Sequence, residues 1–156
     1  MRSLGFAAIL GGVLRIANAF IWRLLGAHGA QITFALTDMA LILGSFGFAL
    51  ALRGRIGWLG HCGIALGIGG LLFVRIAAAT GIGSYQAAAA VTLFGAAFLG
   101  ADMLMRHAGS RLAAAMWVAA LAAGLVSLIF PPAAIAAAIL FGAGFICQGS
   151  QALRPR

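Results

Sequence analysis

The chain has 156 residues, 64% of them hydrophobic and only 8% charged, with ten Lys or Arg against two Asp or Glu and a formal charge of +8. Soluble domains carry about 25% charged residues, so this composition excludes a water-soluble globular fold and makes lipid the solvent for most of the outward surface. The positive balance does not indicate nucleic acid, because the arginines punctuate apolar runs instead of forming a patch with interleaved aromatics.

Apolar runs separated by short polar breaks predict helices at about 4–22, 32–52, 56–76, 86–105, 112–130 and 133–152, each near the roughly 20 residues needed to cross a bilayer. The first segment carries Arg15 and Asn18. Met1-Arg2, the apolar stretch from Leu4 to Leu14 and Ala17-Asn18-Ala19 also have the outline of a cleavable signal peptide, but Arg15 interrupts it, which favours an uncleaved first helix. The second segment carries Thr37 and Asp38.

The third segment holds Gly57, Gly60, Gly63, Gly67 and Gly70 at spacings of three, three, four and three, which align them on one helical face. Such a small-residue face lets a neighbouring backbone approach closely, and packing within the chain or self-association are its two uses. The fourth segment begins near Gln86 and ends at Asp102 and Arg106. From Leu112 to Leu153 no Asp, Glu, Lys, Arg or His occurs, and only Pro131-Pro132 divides this run into two crossings.

The expected fold is an all-α integral membrane protein, one transmembrane helical domain over 1–156, with about six helices in a compact bundle. Three tandem hairpins are suggested by a match between Leu93-Phe94-Gly95-Ala96-Ala97-Phe98 and Leu140-Phe141-Gly142-Ala143-Gly144-Phe145, echoed by Leu43-Gly44-Ser45-Phe46. Gly11-Gly12 followed by Arg15 likewise echoes Gly69-Gly70 followed by Arg75. Mitochondrial carriers share a three-hairpin layout, but their P-x-[DE]-x-x-[KR] pattern is absent from the first, third and fifth segments. Arg2, Arg53, Arg55, Arg106, Arg111, Arg154 and Arg156 fall on one side of a six-helix arrangement and Arg23 on the other, so both termini are expected in the cytoplasm. The compact, loop-poor design points to a bacterial inner (cytoplasmic) membrane.

Ionisable groups inside a bilayer cost about 2.5–3.5 kcal/mol on insertion scales unless paired or snorkelling. Arg15 and Asp38 reach similar depth on adjacent antiparallel helices, so an intramembrane polar group of Arg15, Asp38 and Asn18 is expected, while Arg75 is close enough to the far interface to snorkel. A cytoplasmic-side polar layer comprises His61, Asp102, Arg106, Gln148 and Gln151, with Asp102 and Arg106 spaced for a local ion pair.

Cys62 and Cys147 fit no disulfide framework. With His61 they suggest a soft-metal site, but adjacent helix positions point about 100° apart, so no metal is expected. No P-loop, Gly-x-Ser-x-Gly or His-Glu-x-x-His occurs, the chain has no Glu, and its two carboxylates fall at opposite depths, which argues against paired-carboxylate chemistry. No cofactor is indicated. The leading functional expectation is a non-enzymatic accessory, assembly or scaffold component, with the lipid bilayer and a homo-oligomer or larger membrane complex as partners. A small transporter or channel is the alternative, and a membrane enzyme acting on lipid or quinone ranks third.

Overall fold

Alternating apolar runs and short breaks fold into antiparallel helices, and a computed structural model describes residues 2–21, 24, 26–81 and 84–153, with nothing stated of the Ala27 side chain. They form α1 (Arg2–Ile21), α2 (Gly26–Ala51), α3 (Trp58–Thr80), α4 (Tyr85–Met105), α5 (Arg111–Val126) and α6 (Ala133–Leu153), with no strand among the described residues. Five are long and apolar enough to cross a membrane. The outward surface is apolar, with Phe6, Phe20, Trp58 and Phe130 all exposed. The protein is an integral membrane protein, its lipid-facing side chains playing the role that polar ones play in water.

Three boundaries differ from the sequence reading by four residues or more, one of them the end of α3, which runs to Thr80 and not to 76. Helix α2 starts at Gly26, not near 32: the stretch from Ala27 to Gln31 contains no proline, and a single Gly29 with polar neighbours weakens a helix without stopping it. Helix α5 stops at Val126 instead of running to 130. Leu128, Ile129 and Phe130 form turns before Pro131, and their amides are satisfied by Leu125, Val126 and Val126 carbonyls respectively. The apolar tip therefore leaves few backbone groups unpaired, as lipid requires. Arg23, Arg154 and Arg156, used in the orientation argument, lie outside the described residues.

The helices stand in a ring in chain order, each packed on the next and α6 returning to α1. The tightest pair is α3 with α4, followed by α1 with α6; the seam between α2 and α3 is the thinnest. Phe48, Trp117, Phe141 and Phe145 fill the centre, Phe145 lying 5.2 Å from Phe48, 5.5 Å from Trp117 and 5.1 Å from Phe141 between ring centroids. Trp117 Nε1 donates to the Phe141 carbonyl at 3.3 Å, so the indole's polar atom is satisfied where it is buried.

Two hairpins share a register. In the first, Gly44 abuts Ala8 and Gly11 abuts Leu41; in the second, Gly95 abuts Gly67 and Gly70 abuts Thr92. A shift of 59 residues on the odd helix and 51 on the even one superposes these contacts. The third hairpin departs. Gly142, the counterpart of Gly95, turns away from α5 to meet Gly12 on α1, and Gly149 meets Gly5 one heptad along. Rotating the glycine from the preceding helix to the following one also turns the aromatics, so Phe94 and Phe98 face outward while Phe141 and Phe145 are buried. The matched hexapeptides thus serve opposite purposes: one faces lipid with its rings, the other closes the ring of helices.

Of the five glycines, Gly60, Gly63 and Gly70 lie against α4 with no room for a Cβ, and Gly57, just before α3, faces the flexible end of the Arg106 side chain. Gly67 is different. Its backbone touches Gly95, but a Cβ on Gly67 itself would meet nothing within 4 Å. It borders a central cavity of about 20 Å³. Gly67→Ala is therefore expected to stabilise the protein by about 0.5–1 kcal/mol, through helix propensity and partial filling of that space. Thermal unfolding in detergent measures this, and a fall in midpoint would show that α3 has no slack there.

Candidate functional site

Polar side chains inside the bundle fall into two layers. At one end, α4 and α6 each reach to the start of the odd helix that precedes them. Asp102, buried on α4, accepts from the Gly57 amide through Oδ2 at 2.6 Å and from Arg106 Nε through Oδ1 at 3.2 Å. Gly57 is the residue before the first turn of α3 and, as a glycine, has no side chain with which to cap it. A carboxylate from the neighbouring helix instead accepts from the amide of this N-cap residue, at the positive end of the α3 dipole.

Gln148, buried on α6, does the same for α5: its Oε1 accepts from the Ser110 amide at 2.9 Å. Ser110 in turn caps α5, its hydroxyl accepting from the Ala113 amide at 3.2 Å. The turn into it bends tightly through two left-handed residues, His107 at φ 52° and Gly109 at φ 67°. A Cβ at Gly109 would press on Met103 and Gln148. His61 is exposed and holds the Gly57 carbonyl through Nδ1 at 2.7 Å, and Gln151 is exposed at the end of α6.

Removing Asp102 should therefore expose a structural role. Asp102→Ala is expected to cost about 1–2 kcal/mol through the lost cap. The first turn of α3 should also exchange its amide hydrogens faster. Unchanged exchange over residues 57–61 would mean that the Gly57 amide finds another acceptor.

The second layer lies in the opposite half. Asn18 Nδ2 donates to Thr37 Oγ1 at 2.9 Å, and that hydroxyl donates to the Thr33 carbonyl at 2.7 Å, both partners being fully buried. This ties α1 to α2. Asp38 pairs with Arg75 on α3, not with Arg15: Asp38 Oδ2 and Arg75 Nε are 2.7 Å apart, although the N–H points off the line to the oxygen and makes no aligned hydrogen bond. The expected Arg15–Asp38 pair is thus replaced. Asp38 follows Leu41, Ser45 and Phe48 around α2 toward the ring interior, where the α3 stripe of Ile64, Leu71 and Arg75 faces it.

Arg75 was the residue missed. Its nearness to the interface suggested a snorkelling side chain, yet only 26% of that side chain is exposed. The usable signal was its place four residues after the core residue Leu71. The Asp38–Arg75 contact crosses the thinnest seam of the ring, where little else joins α2 to α3.

Between the layers, the central cavity is almost wholly apolar and has room for about one water. Its two hydroxyls, on Ser45 and Thr92, are engaged by their own helices, donating to Leu41 and Ala88 carbonyls at 2.9 and 3.0 Å. Among the described residues, no three of His, Cys, Asp or Glu gather as a metal site would require, and Cys62 and Cys147 are free thiols. No family model, curated protein or solved structure matches this chain.

Proposed function

We propose that this protein is a non-enzymatic component of a bacterial inner membrane, an accessory, assembly or scaffold subunit of a larger complex or a homo-oligomer. One observation carries the reading: the buried polar side chains in both layers are committed to holding helices together. Asp102 and Gln148 cap neighbouring helices, Asn18 and Thr37 join α1 to α2, and Asp38 with Arg75 joins α2 to α3. A catalytic or transport group needs freedom to titrate or to exchange partners, whereas these groups are occupied in fixed structural contacts.

The orientation proposed has both termini in the cytoplasm. Arg2, Arg53, Arg55, Arg106 and Arg111 cluster at the end of the ring bearing Asp102 and Gln148, and the positive-inside rule assigns that end to the cytoplasm.

The test is extraction from native membranes in mild detergent followed by native mass spectrometry, alongside proton flux in liposomes for the wild type and Asp38→Asn. The expected result is a defined stoichiometric assembly and proton flux equal to that of empty liposomes. Flux well above the empty-liposome level that Asp38→Asn abolishes, while its unfolding midpoint stays near wild type, would replace the scaffold reading with a transporter.

A further inference from the structure

The chain has two carboxylates in all. Asp102 is spent at the α3 start, so the opposite half of the bundle has Asp38 alone to balance Arg15 and Arg75. Arg15 belongs to the α1 face that also carries Ala8, Gly11 and Asn18, the face turned to α2. The contacts of Gly11 with Leu41 and of Asn18 with Thr37 bracket Arg15 and set it level with Asp38, whose carboxylate feels its charge. Asp38 nevertheless turns to Arg75, and Arg15 makes no hydrogen bond or ion pair with any described residue.

Two guanidinium groups therefore flank one carboxylate at the non-cytoplasmic mouth of the ring, with one positive charge left over. Arg15 and Arg75 stand six and five residues from the ends of α1 and α3, roughly 8–9 Å along each helix. That depth is within reach of headgroups for a long side chain. A half-buried guanidinium keeps five donors whose natural complement is a tetrahedral or planar oxyanion, held by paired N–H···O contacts.

We propose that Arg15, aided by Arg75, binds a phosphate group at this mouth. A phospholipid headgroup of the non-cytoplasmic leaflet and a free phosphate ion present the same chemistry, and the experiment separates them.

The purified protein is titrated with inorganic phosphate and, separately, with mixed micelles containing phosphatidylglycerol, reading the unfolding midpoint and, by native mass spectrometry, retained lipid. Arg15→Gln and Asp38→Asn are measured beside the wild type. Arg15 makes no hydrogen bond or ion pair with any described residue, so its replacement should leave the fold intact and weaken binding about tenfold, the loss of one charge-assisted pair. Asp38→Asn removes the competing carboxylate and should tighten binding several-fold even as it lowers the midpoint of the unliganded protein.

A shift with phosphatidylglycerol alone identifies a lipid site, and a shift with inorganic phosphate identifies a free oxyanion site; both support the proposal. If neither probe shifts the midpoint, or if Arg15→Gln binds as the wild type does, the proposal is wrong. Opposite signs for the two variants are the discriminating result, because a merely structural cluster would not bind more tightly after losing Asp38.

Discussion

Gly95→Leu is expected to abolish the packing of α3 on α4 and to give a protein that aggregates or elutes as a broad species in mild detergent. A Cβ at this position would fall onto the Gly67 amide, 2.7 Å from the Gly63 carbonyl oxygen and 2.8 Å from the Gly67 Cα. These are backbone atoms, which have no rotamers through which to retreat. The helix axes must separate instead. In lipid that is costly for a particular reason: no hydrophobic term draws helices together, so association rests on close van der Waals contact and weak Cα–H···O bonds, both lost within a fraction of an ångström.

Overpacking a filled core costs about 1–3 kcal/mol, and Gly95→Ala should fall within that range, whereas the larger side chain should exceed it. Separation would also pull Asp102 from the Gly57 amide, so the cap is lost with the packing. Size-exclusion profile and unfolding midpoint decide the matter. A monodisperse Gly95→Leu protein with a wild-type midpoint would mean that the two backbones are not in contact. Gly67→Ala, at the α3 residue that Gly95 abuts but with its Cβ facing open space, is the internal control.

The membrane class and the helices were legible because lipid exposure makes whole segments apolar, and that signal survives any uncertainty in packing. The close approach at Gly60, Gly63 and Gly70 was legible for a related reason, since spacing on a helix fixes a common face, whereas the same spacing did not show that Gly67 faces open space. What spacing cannot supply is the identity of the opposing helix. Leu93 to Phe98 and Leu140 to Phe145 show this most plainly: nearly identical residues, yet a different rotation about the axis sends one set of rings to lipid and the other to the core. The rotation of α6 is set by ring closure on α1, a long-range fact with no local trace.

The polar layers were read in part: Asn18, Asp38, Asp102 and Gln148 are buried inside the bundle, whereas His61 and Gln151 are exposed and the Arg75 partner of Asp38 was missed. Asp102 and Gln148 were recognisable as costly intramembrane groups, while their acceptor role toward the Gly57 and Ser110 amides depends on backbone atoms that a sequence does not distinguish. Arg15 and Asp38 were placed at matching depth from helix lengths alone. Arg75 was set aside as a snorkelling side chain, and its pairing in place of Arg15 follows from the direction in which Asp38 leaves α2.

That choice is testable by the coupling between residues. Asp38→Ala is expected to destabilise the protein by about 2–3 kcal/mol, below the 3–5 kcal/mol typical of breaking a fully buried pair, because Arg75 is partly exposed and can swing toward the interface. The remaining cost is real: Arg15 and Arg75 are then two like charges without a carboxylate in their half of the bundle. Replacing both members of the pair, Asp38→Leu with Arg75→Met, should recover most of the loss, since an apolar pair in an apolar seam avoids the desolvation that the ions suffer. A double-mutant cycle between Asp38 and Arg75 should give a coupling of about 1–3 kcal/mol, and one between Asp38 and Arg15 a distinctly smaller value. The reverse order would restore Arg15 as the partner and remove the bolt from the α2–α3 seam. If the pair does fasten that seam, cysteines placed across it within bonding distance should crosslink faster in the wild type than in Asp38→Ala, where α2 and α3 are free to part.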